Sequence, residues 1–256
     1  MLSSGQSLAY SSTAAIQDQP GNGLLRSLPA GEYQRLLPNL LAINLRNRQV
    51  LYEPGQRIRF AYFPLDAVVS LLLPMEDGSS VEVGMVGRQG LAGIRIPLGT
   101  QVAPHRAVVE IAGRALRIRA EELSRASAGY PALHSLMLAY AECCLTGTAQ
   151  RVACSRLHPL EKRLCRWLLE LQDLTSVEEF SVTQEMISRR LGVRREAVTV
   201  AARALQAAEL ISHGRARIRI TNRLALERAS CECYRVIAGE TSRLLDRFSA
   251  QPGATT

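Results

Sequence analysis

A chain of 256 residues is long enough for two domains, each with its own core, and no stretch approaches the roughly 18 to 20 apolar residues of a membrane span. Its 31 Lys+Arg against 23 Asp+Glu leave a formal net charge of +8, which points to a polyanion or an acidic membrane surface as partner. Lys162 is the single lysine, so nearly all the positive charge sits on planar guanidinium forks suited to phosphates and guanine edges.

Residues 1 to 23 are rich in Ser, Gln, Gly and Ala and carry neither a basic n-region nor an apolar h-region. They read as a disordered leader rather than a signal peptide, and the protein reads as cytoplasmic. A short helix is predicted around Glu32 to Leu41. From Gln49 to about Arg119 the texture changes to short β-type runs: Val68, Val69 and Leu71; Val81 to Val83; Val108 to Ile111. Glu53-Pro54-Gly55 and Glu76-Asp77-Gly78 punctuate them as turns, so residues 24 to 130 are expected to form a compact all-β roll.

Tyr130-Pro131 opens a helix expected to run to Leu157, with Pro at its first turn. Leu133, Met137, Tyr140 and Cys144 lie on its apolar side and are predicted to form a dimer face. Gly147 and Arg151 interrupt the heptad and exclude an independent coiled coil. His158-Pro159 breaks the run and marks a domain boundary. Leu160, Leu164, Trp167, Leu168 and Leu171 then define a new amphipathic helix, which opens a second domain over residues 158 to 223, followed by a helical extension and tail over 224 to 256.

The most informative stretch begins at Phe180. Thr183 is a natural N-cap with Glu185 in the first turn. Ile187 and Leu191 supply a buried face, and Gly192 ends the helix by permitting a left-handed turn. A second helix starts near Arg194, with Val198, Ala201, Ala202 and Leu205 on one face and Arg195, Thr199, Arg203 and Gln206 on another, the polar face that a major-groove helix presents. No capping residue opens it, and Arg194 and Arg195 place positive charge at the positive end of its dipole, a cost that arriving phosphates offset. After Gly214, alternation puts Arg215, Arg217 and Arg219 on one side of a strand and Ala216, Ile218 and Ile220 on the other, a basic wing. From Ser181 to Arg223 nine arginines face three glutamates, so most of the excess charge lies in this unit.

These residues resemble the Crp/Fnr family of transcriptional regulators over most of residues 30 to 225: Thr183 to Ile187, Leu191-Gly192-Val193, Arg195-Glu196 with Val198, Leu205, and Leu210-Ile211. The resemblance implies an α+β chain with an N-terminal β-roll like a cyclic-nucleotide-binding domain, a long dimerisation helix and a C-terminal winged helix-turn-helix. It implies a homodimer on double-stranded DNA, with RNA polymerase as a further partner and no membrane. By similarity Arg195 and Glu196 read base edges, and Thr183, Gln184, Thr199 and Arg215 contact phosphates or adjoining bases. Arg203, His213 and Arg217 complete the expected contact set. Arg194 stands where family members often carry Ser, and Val200 where they often carry Arg, so a different base preference is expected, with a thymine methyl a suitable neighbour for Val200.

The cyclic-nucleotide cassette is degenerate. Its Gly-Glu is absent from Gly87-Arg88-Gln89-Gly90, and His105-Arg106-Ala107 lacks the hydroxyl neighbour of the cassette arginine. Cyclic AMP is therefore not the expected effector; Gly90, Arg106 and Ala107 remain the candidate contacts for some other anion, and no cofactor is identified. Gly84, Gly87, Gly90 and Gly93 are not followed by Gly-Lys-Ser/Thr, which excludes a P-loop. The four histidines are scattered, which argues against a metal-dependent cupin enzyme, and no catalytic set emerges. The six cysteines all follow position 142 and are expected to be reduced, buried thiols; an Fnr-type cluster would need cysteines near the N-terminus. Cys231-x-Cys233 alone is too little for zinc, and no metal site is predicted. Two readings remain beside a specific regulator: a nonspecific DNA-binding protein and, more remotely, the cupin enzyme.

Overall fold

The computed structural model describes residues 21–175, 179–214 and 217–249. It opens on Asn22, a fully buried side chain that caps helix α1 (Gly23–Arg26) by accepting from Leu24 N at 3.1 Å and Leu25 N at 3.4 Å. Its Nδ2 donates to the carbonyls of Pro64 at 2.9 Å and Gly90 at 3.0 Å. Residues 21–23 thus belong to the fold and correct the expected leader boundary; residues 1–20 lie outside the described residues. Helix α2 spans Ala30–Leu36 and passes into a single 3-10 turn, Leu37–Asn39. It ends before Leu41 because Pro38 supplies no backbone donor to a continuing helix.

Strands β1 (Leu41–Leu45), β2 (Val50–Tyr52), β3 (Phe60–Pro64), β4 (Val68–Pro74), β5 (Ser80–Val86), β6 (Arg106–Ile111) and β7 (Gly113–Arg119) form two antiparallel sheets, ordered β1-β7-β3 and β2-β6-β4-β5. The roll begins earlier than the expected Gln49. Both predicted turns place glycine at positive φ, 77° at Gly55 and 81° at Gly78, where a Cβ would be strained. Phe63, Val69, Val109, Leu116 and Ile118 fill the space between the sheets.

Helix α3 (Ala120–Gly129) leads into α4 (Pro131–Leu157). The buried Glu32 carboxylate accepts from Ala132 N at 3.1 Å and Leu133 N at 2.8 Å, capping the first turn of α4. One side of α4 completes the roll. Leu133, Met137 and Tyr140 are buried in the core of their own protomer, and Cys144 packs against it, which corrects their assignment to a dimer face. The Tyr140 hydroxyl accepts from Leu91 N at 3.1 Å, an approach that needs glycine at 90, where a Cβ would fall 2.5 Å from that oxygen. The opposite side exposes Leu138, Leu145 and Val152, spaced by seven. The apolar periodicity of α4 is genuine, but the roll consumes the strongest part of it.

The break at His158-Pro159 is where predicted, and α5 (Leu160–Thr175) begins the second unit. There β8 (Glu179–Ser181), β9 (Ile211–Gly214) and β10 (Arg217–Ile220) form a small antiparallel sheet ordered β8-β10-β9 beside α6 (Gln184–Leu191) and α7 (Arg195–Ala207). Trp167, Leu168, Phe180, Ile187, Val198, Leu205 and Ile218 make its core, which Val68 of the roll joins. Helix α8 (Arg223–Ala229) and α9 (Glu232–Ser249) follow; α9 lies along α4 and reaches α5 and α1, with Leu244 in the roll core. No helix among the described residues is long and apolar enough to cross a membrane.

Across the α4–α5 break, Glu170 receives Arg151 of α4 at 2.7 Å and, on its other oxygen, Arg166 of α5. Burial alone would raise its carboxyl, but the two guanidinium groups hold it below the usual 4.5. A depressed folded value means that the stabilisation is complete above about 4.5 and is lost as pH falls through the lower folded value. Glu170→Gln strands the buried Arg166 and the partly buried Arg151, so urea unfolding at pH 7 is expected to show a loss of about 3 to 5 kcal/mol. The variant should also lose part of the acid-side decline expected of the parent; identical stability at pH 7 would refute the role of the triad.

Candidate nucleic-acid interface

Helix α6 is built as its sequence dictates. The Thr183 hydroxyl accepts from Met186 N at 3.2 Å, and Gly192 closes the helix in the left-handed region at φ 61° and ψ 43°. Arg163 of α5 donates to the Leu191 carbonyl at this turn, fixing where α7 leaves. Helix α7 starts after Arg194, which caps it with backbone only and makes no side-chain cap bond. Its inner face, Val198, Ala201, Ala202 and Leu205, is buried as predicted.

Its outer face presents Arg194, Arg195, Glu196, Val200 and Arg203 to solvent, with Val200 65% exposed. An apolar side chain this open, among charged neighbours, suits a base-edge methyl better than a core. Thr199 and Gln184 differ from the rest of the expected contact set. The Thr199 hydroxyl lies 3.0 Å from Gln184 Oε1, and both are partly buried, so they tie α7 to α6. Arg217 and Arg219 share Glu179, each at 2.9 Å. Hydrogen bonds from Arg219 and then Arg217 hold that exposed carboxyl below the usual carboxylate range. The wing base is therefore less positive than its arginine count suggests, while Ile218 and Ile220 face inward as alternation predicted. His213 is half-buried on β9. Arg215 lies outside the described residues.

Arg190, counted from sequence only as part of the basic surplus, is the residue that sequence reasoning missed. Its side chain is 2% exposed and crosses to the roll, where it meets Glu82 of β5, Glu110 of β6 and the Ser70 hydroxyl of β4. Burial pushes the Glu110 carboxyl up to about 7 against the opposing pull of Arg189 and Arg48. Thr183, Arg189 and Arg217 line the groove of about 720 Å³ left beside this anchor, opposite Arg48 and Arg106 of the roll. The only signal for it in sequence was an acidic residue in the middle of each of two apolar strands.

The candidate effector contacts do not converge. Arg106 is paired with Glu53 at 2.8 Å, Ala107 is fully buried in β6, and Gly90 is closed over by Tyr140. The cavity of the roll, about 340 Å³, is lined instead by Tyr52, Leu71, Leu73, Val83 and Tyr140, with Arg95 and His105 among its few polar walls. Burial and the neighbouring Arg95 lower His105 from its ordinary value.

Residues 162–229 match the sequence model of the Crp-like helix-turn-helix domain. Among solved structures the chain is similar to FixK2 from Bradyrhizobium japonicum, at 15% identity over 75% of this chain and 98% of that one, with a TM-score of 0.66. It is similar to the c-di-GMP responsive global regulator CLP of Xanthomonas campestris at 16% identity, over 76% of this chain and 100% of that one, TM-score 0.63. A Crp/Fnr-family regulator from Thermus thermophilus is similar at 21% identity, over 74% and 98% of the two chains, TM-score 0.57. No match was found among curated proteins. The chain carries a Crp-like helix-turn-helix domain and has the fold of the Crp/Fnr regulators it is similar to.

Removing the Arg190 guanidinium leaves the Glu82 and Glu110 carboxyls without the cation that contacts both. Arg190→Ala is expected to weaken docking of α6 on the roll by about 3 to 5 kcal/mol. Melting should split into two transitions, and amide exchange at β5 should accelerate. Arg190→Met combined with Glu82→Leu and Glu110→Leu, which removes every charge, should recover a single transition; an unchanged melting profile in Arg190→Ala would contradict the anchoring role.

Proposed function

We propose that this regulator of Crp/Fnr type binds double-stranded DNA sequence-specifically, as a homodimer, on a pseudopalindromic site and without cyclic AMP. The observation that carries the reading is the outer face of α7, where Arg194, Arg195, Glu196, Val200 and Arg203 stand solvent-exposed. Guanidinium forks match guanine edges, a carboxylate matches the cytosine amino group, and an open valine matches the thymine methyl. Arginines of the wing would hold phosphates and set register.

Dimerisation is supported by Leu138, Leu145 and Val152 on the free side of α4, an exposed apolar stripe at heptad spacing along 27 residues of helix. Pairing two copies along it would place two α7 helices in successive major grooves, about 34 Å apart. Independence from cyclic AMP is supported by the roll cavity, whose walls are mostly apolar, and by the engagement of Arg106 with Glu53 outside it. The protein would act in the cytoplasm, with RNA polymerase recruited or blocked at the bound site.

Selection of duplexes from a randomised pool at near-physiological salt, with no nucleotide added, tests the reading. The expected product is a two-fold symmetric motif with half-sites one helical turn apart. Arg195→Ala should cost about 1 to 3 kcal/mol and relax one base pair per half-site. Leu145→Arg, at a position 73% exposed, should sediment as a monomer and lose the symmetric motif. A pool that enriches nothing, or equal losses by Arg195→Ala on selected and random DNA, would favour a nonspecific binder.

A further inference from the structure

The end of α4 and the start of α9 bring together four side chains that the sequence keeps far apart. Cys154 and His158, four residues apart, lie on one side of the last turn of α4. Cys231 follows α8, and Cys233 stands in the first turn of α9. One ligand atom from each of the four lies within 4.8 Å of all the others. Cys154 Sγ is 3.5 Å from Cys231 Sγ, and Cys233 Sγ is 3.4 Å from His158 Nδ1.

A tetrahedral zinc ion with bonds of about 2.3 Å to sulfur and 2.0 to 2.1 Å to nitrogen sets its ligand atoms about 3.5 to 3.8 Å apart. The observed contacts fall within a few tenths of an ångström of that spacing. The sulfurs are in contact but not bonded, and all three cysteines are free. They also form a buried cluster of their own, separate from both apolar cores, so neither core accounts for them as packing.

The surroundings suit an ion. His158 Nε2 lies 3.2 Å from the Glu232 carboxylate, which leaves Nδ1 turned toward Cys233; a carboxylate behind a histidine is the usual means of fixing a metal-binding tautomer. Gln150 donates from Nε2 to Cys233 Sγ at 3.2 Å. The Nε groups of Arg163 and Arg166, on the neighbouring α5, are buried without a hydrogen-bond partner. Three thiolates and a neutral imidazole around a divalent ion carry a net charge of −1, and those cations balance it. The compact spacing leaves no room for an iron–sulfur cluster among the four ligands.

We propose that Cys154, His158, Cys231 and Cys233 form a closed Cys3His site for one Zn²⁺ ion, which staples the end of α4 to the start of α9. Binding releases the three thiol protons to solvent as three Zn–S bonds and one Zn–N bond form. With four protein ligands the site is structural and holds no open position for substrate. It sits at the His158-Pro159 break, so the ion fixes the direction in which the DNA-binding unit leaves the long helix.

The full-length chain, reduced and stripped by chelation, is titrated with Co²⁺ and then Zn²⁺. About one equivalent of Co²⁺ should give the visible d–d bands of a tetrahedral ion and a thiolate charge-transfer band, both bleached by about one equivalent of Zn²⁺. Cys154→Ser and Cys233→Ser should abolish these bands. His158→Ala, whose side chain is partly accessible, should weaken them in a chain whose fold is verified by circular dichroism beforehand. Cys165→Ala, a buried cysteine outside the cluster, should leave them intact. Absence of the bands in the reduced parent, their survival in Cys154→Ser or Cys233→Ser, or a Cys154–Cys231 disulfide with no cobalt uptake after reduction would each overturn the site.

Discussion

Charge taken out of water has to be met by opposite charge, and the relation between the two units of this chain rests on that requirement. Arg190 projects from the first helix of the DNA-binding unit into a pocket of the roll containing Glu82, Glu110 and Ser70. Apolar contacts alone would let α6 slide over the sheet, because they are non-directional. A guanidinium held between two carboxylates has one geometry. This contact joins α6 to the roll beside the groove lined by Thr183 and Arg217.

The same strands also wall the cavity of the roll. Leu71 and Leu73 of β4 and Val83 of β5 line it, while Ser70 and Glu82, their neighbours in sequence, reach Arg190. Side chains alternate across a strand, so one sheet meets the cavity on one face and the DNA-binding unit on the other. A displacement of β5 is felt by both. Helix α4 has a comparable double role, with Tyr140 and Leu133 in the roll and Leu145 and Val152 left free. Its far end is held by the Glu170 triad and by the cysteine–histidine cluster.

Local features were legible in sequence because they depend on neighbours a few residues away. The Thr183 cap, the Gly192 turn, the His158-Pro159 break and the alternation of β10 follow from hydrogen-bonding capacity, allowed φ and side-chain period. The β-roll was legible as texture, although its first strand was not. What sequence could not show was which partner each apolar or charged group would find. Leu133, Met137 and Tyr140 carry the right periodicity for a seam, yet nothing in periodicity separates a seam from an internal core. Glu82 and Glu110 stand within apolar strands, and their partner Arg190 lies 80 or more residues downstream. Cys231-x-Cys233 was incomplete for the same reason, its companions Cys154 and His158 lying 73 or more residues upstream.

The arginine bias of the chain has a consequence for how its charge can be adjusted. Lys162, exposed on α5, is the only residue whose side-chain amine could be neutralised by acylation. The outer face of α7 and the β9–β10 hairpin carry none, and guanidinium groups do not lose their proton in the physiological range. The arginine contribution to the positive field over that surface is therefore independent of both physiological pH and acyl-donor supply. Ionic strength and the anions that compete with phosphate are what remain to modulate it.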